Sequence, residues 1–398
     1  MSERVIDLYD EQRRLLAFAR AAADSPHGFA WLDDHGRPDR DQPTYTWITA
    51  RMTHVFALAH LRGEPDCLPL VEHGVAALAG PLRDPESGGW LAGVDGAGRS
   101  VDDRLAAYDQ AFVVLAAASA TAARATGAEG LLASALDVVT TRFLDEAGRV
   151  VDGYDGDWSA PDRYRGANSS MHMVEAFLAA GAVSGDPSWY DRALTIAAHL
   201  IDEVARDYGW RLPEHFTADW TPEPDFNAEE PDDPFRPFGC TPGHLMEWAR
   251  LLVHLDAALS SPPEWLLADA RELFAAAGRI GWEVDEAPGF VYTTDWADQP
   301  VVRSRMHWVH AEAVLAAWAL GVRTEEPAYD EWAQIWWEYI EANLHDPAAG
   351  SWHHELDAES LPASTTWSGK PDVYHAYQAC LLPTLPLAPS AVGAALRR

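Results

Sequence analysis

Apolar residues recur at three- and four-residue spacing through a long series of segments, the signature of helices with one buried stripe. Residues 103–124, 130–143, 169–183, 189–206, 241–259, 265–280, 306–320 and 329–344 all follow it. Residues 1–23 read as a further amphipathic helix, with charges scattered through it and no continuous apolar run of the secretory-signal kind. Between the helical stretches a second pattern returns: a glycine, usually beside an aromatic, then a few extended residues and an acid. Gly28-Phe29 leads to Asp33, Gly89-Trp90 to Asp95 and Gly148 to Asp152, and Gly209-Trp210, Gly289-Phe290 and Gly350-Ser351-Trp352 are further copies. Counted along Gly28, Gly88, Gly148, Gly209, Gly289 and Gly350, the intervals are 60, 60, 61, 80 and 61 residues. The aromatic and β-branched content of each copy predicts a short strand or hairpin joining two helices.

A unit of helix, β-loop and helix cannot bury both its faces alone, so the six must stack. An open solenoid would end in polar capping repeats, and none is visible. The repeat is therefore expected to close into an all-α (α/α)6 barrel of twelve helices with short β-hairpin loops at one mouth. The Ala-rich helices that follow the β-loops suit the crowded inner ring, and residues 1–398 form one domain. The long interval adds about 20 residues (80 against 60), and 216–236 is rich in Pro, Asp and Glu around Trp220 and Phe226. Loops of this length without structure of their own usually serve function, and this one is expected to act as a lid over the barrel mouth.

Composition narrows the partners. Apolar residues make up 48%, as in a globular protein, and 62 acidic against 29 basic residues give a formal charge of −33. Such a surface repels phosphate backbones and anionic lipid, so neither nucleic acid nor membrane is expected as a partner. No stretch of 18 apolar residues is long enough to span a bilayer. Cys67, Cys240 and Cys380 are widely spaced and odd in number, which suits a reducing, cytoplasmic setting and forms no metal or redox motif. Cys240 is read as an inert thiol, with a nucleophile as the alternative. A homo-oligomer is compatible with the sequence, which sets no oligomeric state.

Candidate chemistry appears when offsets are measured from each motif glycine into the following inner helix. Arg51, His172 and His375 lie 23, 24 and 25 residues on; Tyr108 and Trp308 lie 20 and 19 on; His244 lies 35 on, or about 15 without the insertion. Similar offsets in a closed ring predict one level of side chains around a central pocket. A lone histidine among apolar neighbours is more often a satisfied core residue, but three at matching repeat positions point to function. Imidazole titrates near neutrality and both takes and returns protons. A guanidinium such as Arg51 holds a developing oxyanion. Glu247, three residues after His244, is placed to orient that imidazole or accept sugar hydroxyls, and Tyr108 and Trp308 offer flat faces to a pyranose. Three alternatives remain open: a zinc site built from scattered histidines, a glycoside hydrolase with Asp109 and Glu312 as its carboxylate pair, and a non-catalytic sugar-binding barrel. No phosphate loop or nucleophile elbow is present.

The segments Asn168-Ser169-Ser170-Met171-His172, Thr241-Pro242-Gly243-His244-Leu245-Met246-Glu247-Trp248 and Lys370-Pro371-Asp372-Val373-Tyr374-His375, with Thr46 to Met52, resemble motifs of the N-acylglucosamine 2-epimerase superfamily. The similarity covers essentially the whole chain and is strongest to the mannose isomerase and sulfoquinovose isomerase branch. It implies a cofactor-free, metal-independent reaction through a cis-enediolate. His375 and His244 would form the acid–base pair, and His172 would serve ring opening and binding. Arg51, Glu247, Asn168, Tyr108, Trp308 and Glu312 complete the expected substrate-binding set. The expected reaction is interconversion of D-mannose and D-fructose, with mannose 2-epimerisation or sulfoquinovose isomerisation by the same residues as alternatives.

Overall fold

The computed structural model describes residues 6–397. Six inner helices, α2 (Thr46–Leu61), α4 (Ala107–Ala122), α6 (Ala167–Ser184), α8 (Pro242–Ala258), α10 (His307–Thr324) and α12 (Tyr374–Leu381), alternate along the chain with outer helices. The outer set is α1 (Leu8–Ala19), α3 (Leu68–Ala79), α5 (Ala128–Arg142), α7 (Ser188–Ala197), α9 (Trp265–Gly281) and α11 (Pro327–Tyr339). Each inner helix packs on the next, α12 packs on α2, and α1 packs on α12 as the outer member of the sixth pair. The result is the closed (α/α)6 barrel. A short thirteenth helix, α13 (Ala391–Leu396), packs on α2, α4 and α6 at the far end, where Gly393 approaches Ala182.

The two rings differ as their sequences require. Inner α4 buries nearly every residue from Ala107 to Ala120, and small alanines allow helices to approach on all sides. Outer α9 buries only the stripe Leu266, Ala270, Leu273, Phe274, Ala277 and Ile280, together with Asp269, Ala276 and Gly281. Helix bounds fall close to the predicted spans, with two differences: Ala198–Ala205 and Ile340–Leu344 continue α7 and α11 as π-helix. Apolar spacing of three and four does not distinguish such a wider turn from an α-helix. Residues 1–5 of the first predicted helix lie outside the described residues; α1 starts at Leu8, its N-terminus capped by the Asp7 carboxylate, which accepts from the Tyr9 and Asp10 amides.

The glycine motif is a pair of hairpins at one mouth of the ring. All six motif glycines have positive φ, from 64° at Gly209 to 143° at Gly28. At Gly289 a Cβ would also lie 2.6 Å from the Tyr339 ring, so no other residue fits. The second hairpin pairs Leu32 with Pro38, Val94 with Ser100, Tyr154 with Pro161, Phe216 with Pro222, Thr294 with Pro300 and Leu356 with Pro362. Its turn opens on Asp33, Asp95, Asp155, Thr217, Asp295 and Asp357, so in the third copy the equivalent acid is Asp155 and not Asp152. At Asp33, Asp95, Asp295 and Asp357 the carboxylate accepts from the backbone amides two and four residues on.

These hairpins stitch neighbouring units together. Just before or at the start of each inner helix one amide donates to the adjoining unit: Thr46 to Ala92, Ala107 to Asp152, Ala167 to Glu214, Cys240 to Thr294, His307 to His354 and Lys370 to Leu32, at 2.8 to 3.0 Å. The last of these closes the ring. The fourth residue of an inner helix then captures the motif amide: Thr49 from Phe29, Gln110 from Trp90, His310 from Phe290. The insertion folds over the same mouth. Asp233 accepts from the Phe235 and Arg236 amides, Asn227 donates to the Arg236 carbonyl at 2.7 Å, and the Arg236 guanidinium lies 3.9 Å from the Tyr164 ring centroid.

His310 accepts the Phe290 amide at Nε2 and reaches the Met306 carbonyl at Nδ1, so only the neutral ring makes both bonds. Burial pushes its pKa down to about 3. As pH falls below the unfolded value near 6.5, the unfolded chain gains a proton that the folded one refuses, and stability is lost. His310→Gln copies Gln110, and we expect the wild type to lose about 1.4 kcal/mol per pH unit relative to this variant between about pH 6 and 4. Denaturant titrations of both proteins at several pH values measure the difference; parallel curves would show that His310 is not the acid-sensitive tie.

Candidate active site

Counting from the first residue of each inner helix, and in the sixth unit from its Lys370 joint, resolves the single level expected from glycine offsets into layers. Trp47, Tyr108, Asn168, Gly243 and Trp308 are each the second residue of their helix. Arg51, Phe112, His172, Glu247 and Glu312 are the sixth, and His375, five residues after the Lys370 joint as Arg51 is five after Thr46, falls with them; His54, Glu175 and Arg250 are the ninth. Positions two, six and nine share one helical face, here the face turned to the barrel axis. The side chains therefore form successive layers, with Tyr108 and Trp308 one turn nearer the mouth than Arg51 and His172. His244, the third residue of α8, departs from this register.

A cavity of roughly 740 Å³, its open mouth included, lies on the axis beneath the hairpins. Arg51, Tyr108, Asn168, His172, His244, Glu247, Trp308 and His375 all line it. Glu312 does not: it is fully buried one layer behind the wall, as is Asp109, so the carboxylate pair of the hydrolase alternative does not face the cavity. The glycine at position two of α8 lets the Trp308 indole lean over it, since a Cβ on Gly243 would lie 2.6 Å from that ring. Trp308 in turn sits between two catalytic candidates, its ring centroid 5.1 Å from His244 and 5.8 Å from His375.

Both of those imidazoles are held from behind. His244 Nδ1 lies 2.9 Å from Glu214 Oε1, and His375 Nδ1 lies 2.9 Å from Glu312 Oε1. A carboxylate on Nδ1 fixes the tautomer that leaves Nε2 without a proton, and Nε2 of neither ring has a protein partner among the described residues. Burial, with Arg51 and His307 nearby, holds His375 well below the ordinary histidine range, so it is a neutral base at rest. His172 stands apart, packed against Tyr108 and Phe112, with Nδ1 buried, 3.8 Å from Glu175 and 3.9 Å from Glu247. Burial lowers its pKa to about 4 despite those carboxylates, and it too is neutral.

Arg51 supplies the positive charge on the wall. It donates to the Tyr108 hydroxyl at 2.8 Å and pairs with Asp372 at 3.3 Å, over the faces of Phe112, Trp47 and Tyr374. Burial works against that charge, but Tyr108, Asp372 and Tyr374 outweigh it and raise the pKa above its ordinary value. Deeper still, Arg250 faces three carboxylates: Nε is 2.7 Å from Glu312, Nη2 3.3 Å from Glu247 and Nη1 3.8 Å from Glu175. Two clusters have metal-ligand spacing, His172 with Glu175 and Glu247, and Glu247 with Glu312 and His375. Each contains one of the three histidines, so those histidines do not converge on one ion, and the carboxylates of both clusters pair with Arg250. Cys240 is fully buried, lines no part of the cavity, and has its thiol pushed up by burial; nothing activates it.

Several residues in the wall or behind it carried a signal that offsets alone missed. Glu214 and His354 immediately precede a strand pairing at the mouth, as Asp152 does, and the repeat marks that position. His354 stacks on His307 with centroids 3.8 Å apart, and both line the cavity. Asp372 lies within the Lys370–His375 segment already singled out. Phe235, from the insertion, meets Trp47, Tyr108 and Trp367 edge-on across the opening. Trp367 had no sequence signal.

Known proteins resemble this chain over nearly its whole length. The N-acylglucosamine 2-epimerase family model matches residues 28–379. A protein of Thermobifida fusca named D-mannose isomerase is 56% identical over 96% of this chain and 95% of its own. Another of that name, from Pseudomonas cannabina pv. alisalensis, is 51% identical over 96% and 93%. A crystal structure of a D-mannose isomerase superposes with a TM-score of 0.88 at 28% identity, covering 95% of this chain and 97% of that one. An (α/α)6 barrel with histidines around an axial cavity is the scaffold of a sugar isomerase or epimerase. The chain belongs to the N-acylglucosamine 2-epimerase family.

Gly243→Ala tests the packing around Trp308. A helical alanine gains up to ~1 kcal/mol in propensity, but overpacking typically costs ~1–3 kcal/mol. We expect a net loss of about 1 kcal/mol in denaturant unfolding, and a gain would show that the indole moves aside freely.

Proposed function

We propose that this protein is a cytoplasmic, metal-independent aldose–ketose isomerase that interconverts D-mannose and D-fructose through a cis-enediolate. The observation that carries the reading is the pair of carboxylate-backed imidazoles, His244 on Glu214 and His375 on Glu312, flanking Trp308 on one cavity wall. One imidazole removes the proton from C2 of the open-chain aldose, the charge moves to O1, and Arg51 stabilises the resulting oxyanion. Returning the proton to C1 yields the ketose. Neutral His172, set apart beside Tyr108, assists ring opening and binding. Asn168, Tyr108 and Glu247 offer hydrogen bonds to hydroxyls, and the indole of Trp308 packs on the sugar's apolar face. Glu312 acts through His375 and does not touch substrate.

Two features favour mannose over a sulfosugar. Among the described residues Arg51 is the only cation on the wall, and it already pairs with Asp372, so a permanently charged sulfonate meets no second cation. The 216–236 segment serves as a lid: Pro234 and Phe235 narrow the opening from above. Epimerisation at C2 uses the same groups and differs only in the face on which the enediolate is reprotonated.

Mannose incubated with the enzyme and a chelator in heavy water should give fructose with solvent deuterium at C1. Glucose in its place would establish the epimerase, and unchanged mannose would defeat both readings. His375→Ala and His244→Ala should each lower turnover by at least ~100-fold with the circular dichroism spectrum unchanged. Either variant turning over normally removes that residue from the mechanism.

A further inference from the structure

The three carboxyls around Arg250 are more negative charge than the buried cluster can hold. Glu175, Glu247 and Glu312 come from neighbouring inner helices and are 4%, 1% and 0% exposed. Arg250 is their one guanidinium. The next cation, Arg51, is engaged by Asp372 and Tyr108, and the nearby histidines His172 and His375 are neutral. Carboxylates this close in a low dielectric do not all ionise; one keeps a proton. Glu312 has strong partners, Arg250 Nε at 2.7 Å and His375 Nδ1 at 2.9 Å. Glu175 accepts from the Tyr374 hydroxyl. Glu247 has only Arg250 Nη2 at 3.3 Å, with His172 Nδ1 at 3.9 Å. It is the least satisfied of the three, and the only one that lines the cavity.

We propose that Glu247 is a carboxylic acid in the resting enzyme and relays the hydroxyl proton between O1 and O2 of the open-chain sugar. This deepens the isomerase reading and rests on it. The groups that act on the Glu247 carboxyl are Arg250 on its own helix, Glu175 and His172 on α6, Glu312 on α10, Arg51 on α2, Tyr108 on α4, and Tyr374 and His375 on α12. Burial and Glu312 push its pKa well up, against the pull of Arg250.

The steps balance without any further reactant. As an imidazole takes the C2 proton, the C–H pair forms the C1=C2 bond and the carbonyl π pair moves onto O1, where Arg51 steadies the developing charge until O1 accepts the Glu247 proton. The Glu247 carboxylate then takes the proton of O2, whose pair forms the C2=O2 carbonyl. The C1=C2 pair meanwhile accepts the imidazolium proton at C1. Ketose is formed and Glu247 is again an acid. The imidazoles move the carbon proton, and Glu247 moves the oxygen one.

Infrared difference spectra of wild type against Glu247→Gln at neutral pH report the protonation state directly. We expect a protonated-carboxyl C=O band in the wild type that shifts in heavy water and is absent from the variant. Kinetics of the same variant, which keeps shape and an N–H donor but cannot relay, should show kcat for fructose down at least ~100-fold and KM within about threefold. Deuterium washout at C2 of mannose should fall less than fructose formation, because the enediolate still forms. A wild type lacking the band overturns the proposal without reference to any variant, as does a variant making fructose within threefold of wild type. The band without any turnover of mannose would bring down the isomerase reading and the relay together, whereas turnover without the band brings down the relay alone.

Discussion

Ring closure is the constraint on which the site depends. Six main-chain hydrogen bonds tie the start of each inner helix to the hairpin of the neighbouring unit, and the sixth, from Lys370 to Leu32, joins the end of the chain to its beginning. Each is worth only about 1 kcal/mol net, and their importance is geometric. They set the rotation of every inner helix about its own axis, so that positions two, six and nine turn inward together. The closing joint is closely packed. Gly369 has φ +70°, and a Cβ there would lie 2.5 Å from the Leu32 oxygen. The adjacent Lys370, the only lysine in the chain, is buried with its ammonium 2.5 Å from Asp346.

The architecture was legible because it is written as a period. Six glycines in left-handed conformation leave a mark that does not depend on helix propensity, and closure followed from the absence of polar end repeats. The site was legible in part. Arg51 and His172 occupy the same position in their helices, which is why their offsets agree. His375 agrees for the same reason: it lies five residues after the Lys370 joint, as Arg51 does after Thr46 and His172 after Ala167, although its helix starts later. Glu247 and Glu312 hold the position of Arg51 in their own units, yet offsets to the nearest polar residue passed over them in favour of His244 and Trp308. What stayed hidden required a second link: Glu214 matters only because it backs His244, and Trp367 only because the chain folds it over the mouth.

Charge is distributed in two regimes. A formal −33 sits mostly in solvent, where it governs solubility. Below the cavity the balance is kept locally, with Arg250 among three glutamates and Arg51 against Asp372. Breaking one partner of such a buried set leaves an uncompensated charge, which is why these residues act as a unit.

All six inner helices begin at the hairpin mouth and run away from it. Their peptide dipoles are therefore aligned, with six amino-terminal ends, each equivalent to roughly half a positive charge, gathered around the cavity. An electron-rich intermediate formed there would sit in a field supplied by the backbone itself, which no side-chain substitution removes and which partly offsets the acidic surface outside.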